Sequence, residues 1–172
     1  IGGVPAYLDK WDAAKSFKEN ICRLVLTPSG ALYGEADAVI SSELRELSAY
    51  STILAAIARG ENKLNDIFHA TGFSRAKISV YLKNLATFNI VEKVVSFETG
   101  GWENAKKGVY QIKDTFVNFW FKFVYPNMSN LYLLSPEEFY DTYIEKELDA
   151  YLERYFREVC TESVSYTHLR AH

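Results

Sequence analysis

The chain has 172 residues, 48% of them hydrophobic and 24% charged, with a net charge of −3. That is enough for one ordinary domain or two small ones, and it excludes a disordered or low-complexity chain. No apolar run approaches the roughly 20 residues needed to span a bilayer, and no secretory leader is present, so the expectation is a soluble cytoplasmic protein with no membrane partner.

The opening "IGGVPAYLDKWD" is a turn running into an amphipathic stretch. Gly2 and Gly3 permit a tight backbone turn, and Pro5 suits a first helical turn because its missing N–H bonds to nothing there. Apolar residues at Tyr7, Leu8, Trp11, Ala14 and Phe17 predict one helix over Pro5–Lys18. "TPSG" at 27–30 breaks the chain, and a second helical stretch runs through "ADAVISSELREL".

Over residues 44–59 the apolar positions 44, 47, 50, 53, 54 and 57 predict a strong helix stopped by Gly60. "NKLNDIFHATG" predicts a shorter one with Leu64, Ile67 and Phe68 inward, ended by Gly72. Ser74 is the expected N-cap of a third helix, with Phe73 and Ile78 as its hydrophobic staple. Its inward face is Ile78, Tyr81, Leu82, Leu85 and Phe88. "NIVEKVVSFE" and "VYQIK" read as two strands around the loop "TGGWENAKKG". Helix, short helix, turn, helix and hairpin predict a winged helix-turn-helix at 44–113. Asp114 then caps "DTFVNFWFKFVYPN", where Phe116, Phe119, Trp120, Phe121 and Phe123 are apolar almost all round, as in a helix buried on more than one side. The last long stretch, from Ser135 to Cys160, is amphipathic with room for one break; Phe139, Tyr140, Tyr143, Ile144, Leu148, Tyr151, Leu152, Tyr155, Phe156 and Val159 form its stripe.

Charge is uneven. Residues 61–113 hold eight Lys/Arg against five Asp/Glu, whereas residues 136–162 hold three against nine. The outward positions of the third helix include Arg75, Lys77, Ser79, Lys83 and Asn84, and Lys93, Lys106 and Lys107 belong to the wing. In a winged helix the third helix enters the major groove while the wing follows the backbone, so Arg75, Lys77, Lys83, Lys93, Lys106 and Lys107 are the candidate DNA contacts. The alternative stays open: the same residues can be solubilising lysines on a module that packs against its own protein.

Catalytic patterns are missing. No GxxxxGK[ST] or GxGxxG loop, HExxH or zinc cluster occurs, and Cys22 and Cys160 read as reduced thiols. Asp141, Glu145 and Asp149 share a face at i, i+4 spacing but read as a solvated surface. His69 reads as structural. Neither catalytic nor metal-ligating residues are assigned.

The stretches "GGVPAYL", "ELRELSAYSTILAAIARG", "YLKNL", "IVEK", "KGVYQIKDTFVNFWFKFVYPN" and "LDAYLERYFREVC", in this order, resemble the C-terminal half of a family of archaeal and bacterial P-loop ATPases of the AAA+/STAND type. Those proteins join an ATPase core to a winged helix and a C-terminal nuclease-like domain. The resemblance covers nearly all of residues 1–162. It implies a mainly α chain with a small β wing: a lid remnant of the ATPase domain at 1–43, the winged helix at 44–113, and a linker helix opening a truncated nuclease-like domain at 114–163. It also implies that Gly2, Gly3 and Pro5 adjoin a nucleotide site, with ATP and Mg2+ bound in the parent and none on this fragment. Arg157 stands where many relatives carry an acid, and a guanidinium cannot ligate Mg2+, which argues against nuclease activity. The tail "VSYTHLRAH" at 164–172 resembles a translated sequencing adapter and is set aside with His168 and His172. The expectation is therefore a gene fragment whose partners are the ATPase core of its own chain, DNA, and further copies meeting through an exposed aromatic stripe. The alternative is a DNA-binding winged-helix transcriptional regulator.

Overall fold

In the computed structural model, residues 5–41, 44, 46–94 and 108–153 are described. They are mainly helical, with one two-stranded antiparallel hairpin.

Helix α1 covers only Pro5–Leu8, and α2 starts afresh at Phe17–Ile21. The single helix expected over 5–18 is interrupted by local hydrogen bonding. The wholly buried Asn20 accepts the Asp12 N–H (3.0 Å) and donates to the Asp12 and Ser16 carbonyls (2.8 and 3.1 Å). Ser16 and Glu19 then close a capping box, each side chain accepting the other's backbone N–H, which satisfies two donors that continuing the helix would have left to the chain. Trp11 and Phe17 still meet, 5.5 Å between ring centroids. The helix widens into a π-helical turn at Cys22–Leu26, buried except for Arg23, and α3 spans Glu35–Ser41.

The next unit is α4 (Leu47–Arg59), α5 (Leu64–Thr71), α6 (Arg75–Thr87), β1 (Val91–Val94) and β2 (Val109–Ile112). Gly60 ends α4 at φ 108° and Gly72 ends α5 at φ 70°, left-handed positions that glycine adopts without a Cβ clash. Ser74 accepts the Lys77 N–H and caps α6. The strands pair Val91 with Ile112 and Val94 with Val109. The Asn62 carbonyl, in the α4–α5 turn, accepts the Tyr110 N–H at 2.7 Å and ties the helices to the hairpin. Two side chains depart from the periodic reading. Phe88, at the C-terminal end of α6, is 41% exposed, and Asn89 after it takes φ 59° and turns the chain. Leu47 is also 41% exposed.

Helix α4 is buried over more than one stripe: Ala49, Ala55, Ala56 and Ala58 are covered along with Ile53 and Leu54, and Ser48, Thr52 and Arg59 hold the remaining open face. The reason is the helix after the hairpin. Asp114 accepts the Phe116 and Val117 N–H groups (2.7 and 3.0 Å) and starts α7 (Thr115–Phe119), which widens into a second π-helical turn at Trp120–Val124. Phe116, Phe119, Trp120, Phe121 and Phe123 are each at most 2% exposed. Small alanines on α4 let this segment approach closely, and each buried ring stabilises the fold by about 1.5–3 kcal/mol.

Both ends of the described residues close over this core. Tyr7 meets Phe116 at 5.2 Å, and Tyr151 lies 5.2 Å from Phe123. After α8 (Met128–Leu131), a second capping box, Ser135 with Glu138, opens α9 (Pro136–Tyr143), which packs on the π-helical turn after α2. The chain breaks once at Ile144, then is helical again over 145–153. Phe139, Tyr140 and Ile144 are buried, and Tyr143, Leu148 and Tyr151 half-buried, so the described part of the aromatic stripe is mostly covered. Tyr155, Phe156, Val159 and the tail at 164–172 lie outside the described residues.

Candidate nucleic-acid interface

Helix α6 is the best candidate surface. None of its thirteen residues is acidic, and it carries Arg75, Lys77 and Lys83. Its buried residues, Ile78, Tyr81, Leu82 and Leu85, anchor it, and a polar network fixes its rotation. The Tyr81 hydroxyl donates to the Glu46 carboxylate, the two tyrosines Tyr50 and Tyr81 lie 4.3 Å apart, and Asn84 donates to the Tyr50 hydroxyl at 2.8 Å. The bond to Glu46, reinforced by burial, pushes the Tyr81 phenol up to about 12, so it stays a donor at all ordinary pH. Asn84, expected to face outward, is turned into this network.

The six basic candidates are not equivalent. Arg75 donates to Asn65 (2.7 Å) and lies 4.0 Å above the Phe68 ring, on the α5 side. Lys77 leans over Phe73 and Tyr81 on the other side. These contacts hold the cations at the edges of the helix, without neutralising them. Lys83 is exposed at the outward centre. Lys93, on β1, extends over Tyr110 and its stem covers Gly108. Lys106 and Lys107 lie outside the described residues.

Sequence reasoning found Lys83 in the middle of this surface but not Val80. If Ile78, Tyr81, Leu82 and Leu85 define the inward direction, a 3.6-residue turn places Ala76, Val80, Lys83 and Thr87 opposite them. All four are exposed, Val80 by 57%. The helical wheel places Val80 there from the sequence alone.

Of the nucleotide candidates, Pro5 is the exposed first residue of α1, and Gly2 and Gly3 lie outside the described residues. Near Pro5, a groove of about 160 Å3 is lined by Tyr7, Leu8, Trp11, Phe17 and Leu32. None of these side chains carries a cation, so they offer no positive charge to a triphosphate. The Tyr7 hydroxyl donates to Glu35 at 3.4 Å, and burial with the Asp114 and Glu35 charges pushes that phenol up to about 12.

Among the described residues no group of three or more His, Cys, Asp or Glu could hold a metal ion. Asp141, Glu145 and Asp149 are exposed, and Asp141 pairs with Lys18, which draws its carboxyl below the usual range. His69 is exposed, beside Phe68. Burial holds the Cys22 thiol up at about 11, so it is an inert core residue. Cys160 and Arg157 lie outside the described residues. No described helix is long and apolar enough to cross a membrane.

No solved structure matches the chain. Over 127 residues, 74% of this chain, it is 32% identical to an uncharacterized protein of the archaeon Methanocaldococcus jannaschii, and it spans only 28% of that protein's length. Residues 120–171 match the DUF234 family, described as archaea bacterial proteins of unknown function; that range begins inside the aromatic π-helical turn and includes most of the tail set aside above.

Proposed function

We propose that this chain is the winged-helix portion of a larger archaeal or bacterial P-loop ATPase, in which residues 5–41 are the end of the lid and α7 onward opens a nuclease-like domain. The winged-helix reading is supported by the order α4, α5, α6, β1, β2 and by the Asn62–Tyr110 bond joining the first inter-helix turn to the hairpin. The observation that carries the functional reading is that α4 is buried between two neighbours, every residue from Ala49 to Ala58 but Thr52 being covered. With the hairpin unit on one flank and the aromatic helix on the other, α4 makes the winged helix a fixed part of the body that also holds α1 through Tyr7 and Phe116. Such a body passes a displacement at the lid to the winged helix without a flexible joint between them.

ATP and Mg2+ would bind in the parent protein with Gly2, Gly3 and Pro5 at the edge of the site. Phosphate affinity in these enzymes comes from the glycine-rich loop and its lysine, which this chain does not contain. The longer protein from the same source is therefore expected to hydrolyse ATP, and this chain alone is not. A longer protein that neither binds nor hydrolyses ATP would overturn the reading.

A second reading, DNA binding by the winged helix, is favoured by one specific observation: α6 has no acid and an exposed outward face. A fluorescence titration of the chain with duplex DNA tests it. Binding that weakens steeply from low to moderate salt, and that Lys83→Glu abolishes, is the expected result. A flat titration at low salt would instead leave the winged helix as an internal packing module.

A further inference from the structure

The outward stripe of α6 carries chemistry that charge does not explain. Val80 stands near its centre with its side chain in solvent, Ala76 one turn before it and Lys83 one turn after. Arg75 and Lys77 flank the stripe on opposite sides, each held over an aromatic ring. An apolar side chain framed by three cations is poorly suited to an apolar protein partner, whose docking would bury those charges unpaired. It suits a surface that is polyanionic at its edges and bears methyl groups at its centre. The major groove of DNA is such a surface: phosphates line both rims, and thymine projects its C5-methyl into the groove beside the polar edges of the other bases.

We infer that Val80 is a specificity-determining residue for thymine, its methyl groups packing on the thymine C5-methyl while Lys83 donates to a neighbouring base edge and Arg75 and Lys77 hold phosphates. This rests on the DNA-binding reading and deepens it: it names which base the helix distinguishes and by which atoms.

The test uses the full chain and a duplex recovered by repeated selection from a random-sequence DNA library. That duplex is made again with deoxyuridine in place of thymidine, which preserves every hydrogen bond and removes only the methyl groups. Fluorescence anisotropy should show the deoxyuridine duplex bound about fourfold more weakly, the worth of burying one methyl group. In Val80→Ala the ratio between the two duplexes should fall to about one. Because Val80 is 57% exposed and outside the buried core, the melting temperature of that variant should stay close to the parent's. Equal binding of the two duplexes by the native chain, or a ratio that survives Val80→Ala, would overturn the inference while leaving DNA binding standing. If no duplex is recovered and none binds at low salt, the DNA reading fails and the inference with it.

Discussion

The ring of Tyr33 meets the indole of Trp120 edge-on, with 6.4 Å between centroids and 83° between planes. Trp120 is 1% exposed, and its Nε1–H has no acceptor among the described residues. The tryptophan is thus held by shape and by its ring contact, and its donor is a cost. Trp120→Phe removes that donor with part of the ring, so it should destabilise by less than about 2 kcal/mol, whereas Trp120→Ala should cost about 3–5 kcal/mol. Urea unfolding of the two variants checks this; equal losses would mean the indole N–H is satisfied after all.

Gly30 sits against the end of the first π-helical turn. A Cβ there would lie 2.4 Å from the Leu24 carbonyl oxygen and 2.6 Å from that of Arg23, both backbone atoms that cannot step aside cheaply. Gly30→Ala should cost about 1–3 kcal/mol. Gly34, four residues on, has open space around its Cβ position, and Gly34→Ala should stay within about 0.5 kcal/mol of the parent. Thermal melts of this matched pair separate the close approach from a general intolerance of the turn.

Acid should loosen the packing of α2 and α9. Hydrogen bonds with Ser16 and Ser135 draw the Glu19 and Glu138 carboxyls below their ordinary 4.5, and the bond from Lys18 draws Asp141 below 3.8. A carboxyl with a depressed folded value contributes its full stabilisation above the ordinary value and loses it as the pH falls through the depressed one. The melting temperature should therefore be flat above about pH 5 and drop below the ordinary carboxylate values. In Glu138→Gln, which keeps the shape of the capping box and removes a proton site, the drop should be shallower. An unchanged slope would remove Glu138 from the account.

Self-association is expected from the far end of the aromatic stripe. Its described part is covered by the π-helical turn of α2 and by α7, which leaves Leu152, 40% exposed, to meet another copy. Light scattering should show mass rising with concentration, and Leu152→Glu should reduce the rise. A clean monomer at high concentration would contradict this.

Features set by neighbours in the chain were legible in the sequence. Ser74 and Asp114 cap where a short polar side chain precedes an apolar run, and Gly60 and Gly72 end helices where the periodicity stops. Features set by distant contacts were not. The break before Phe17 depends on a buried Asn20 folding back onto Asp12, and the burial of the alanines of α4 depends on a helix that begins at Thr115. The candidate surface divides the same way. The basic, acid-free character of α6 is readable from its residues, but Asn84 looks like a surface residue until Tyr50, 34 positions earlier, takes its amide inward.

The most direct test of the central claim is the sequence of the source locus read across both ends of this chain. The account predicts a GxxxxGK[ST] loop following a strand pattern, a domain's length upstream of Gly2 and in the same reading frame. A start codon immediately before Ile1 would contradict it, and would leave a small winged-helix protein whose work is done by α6.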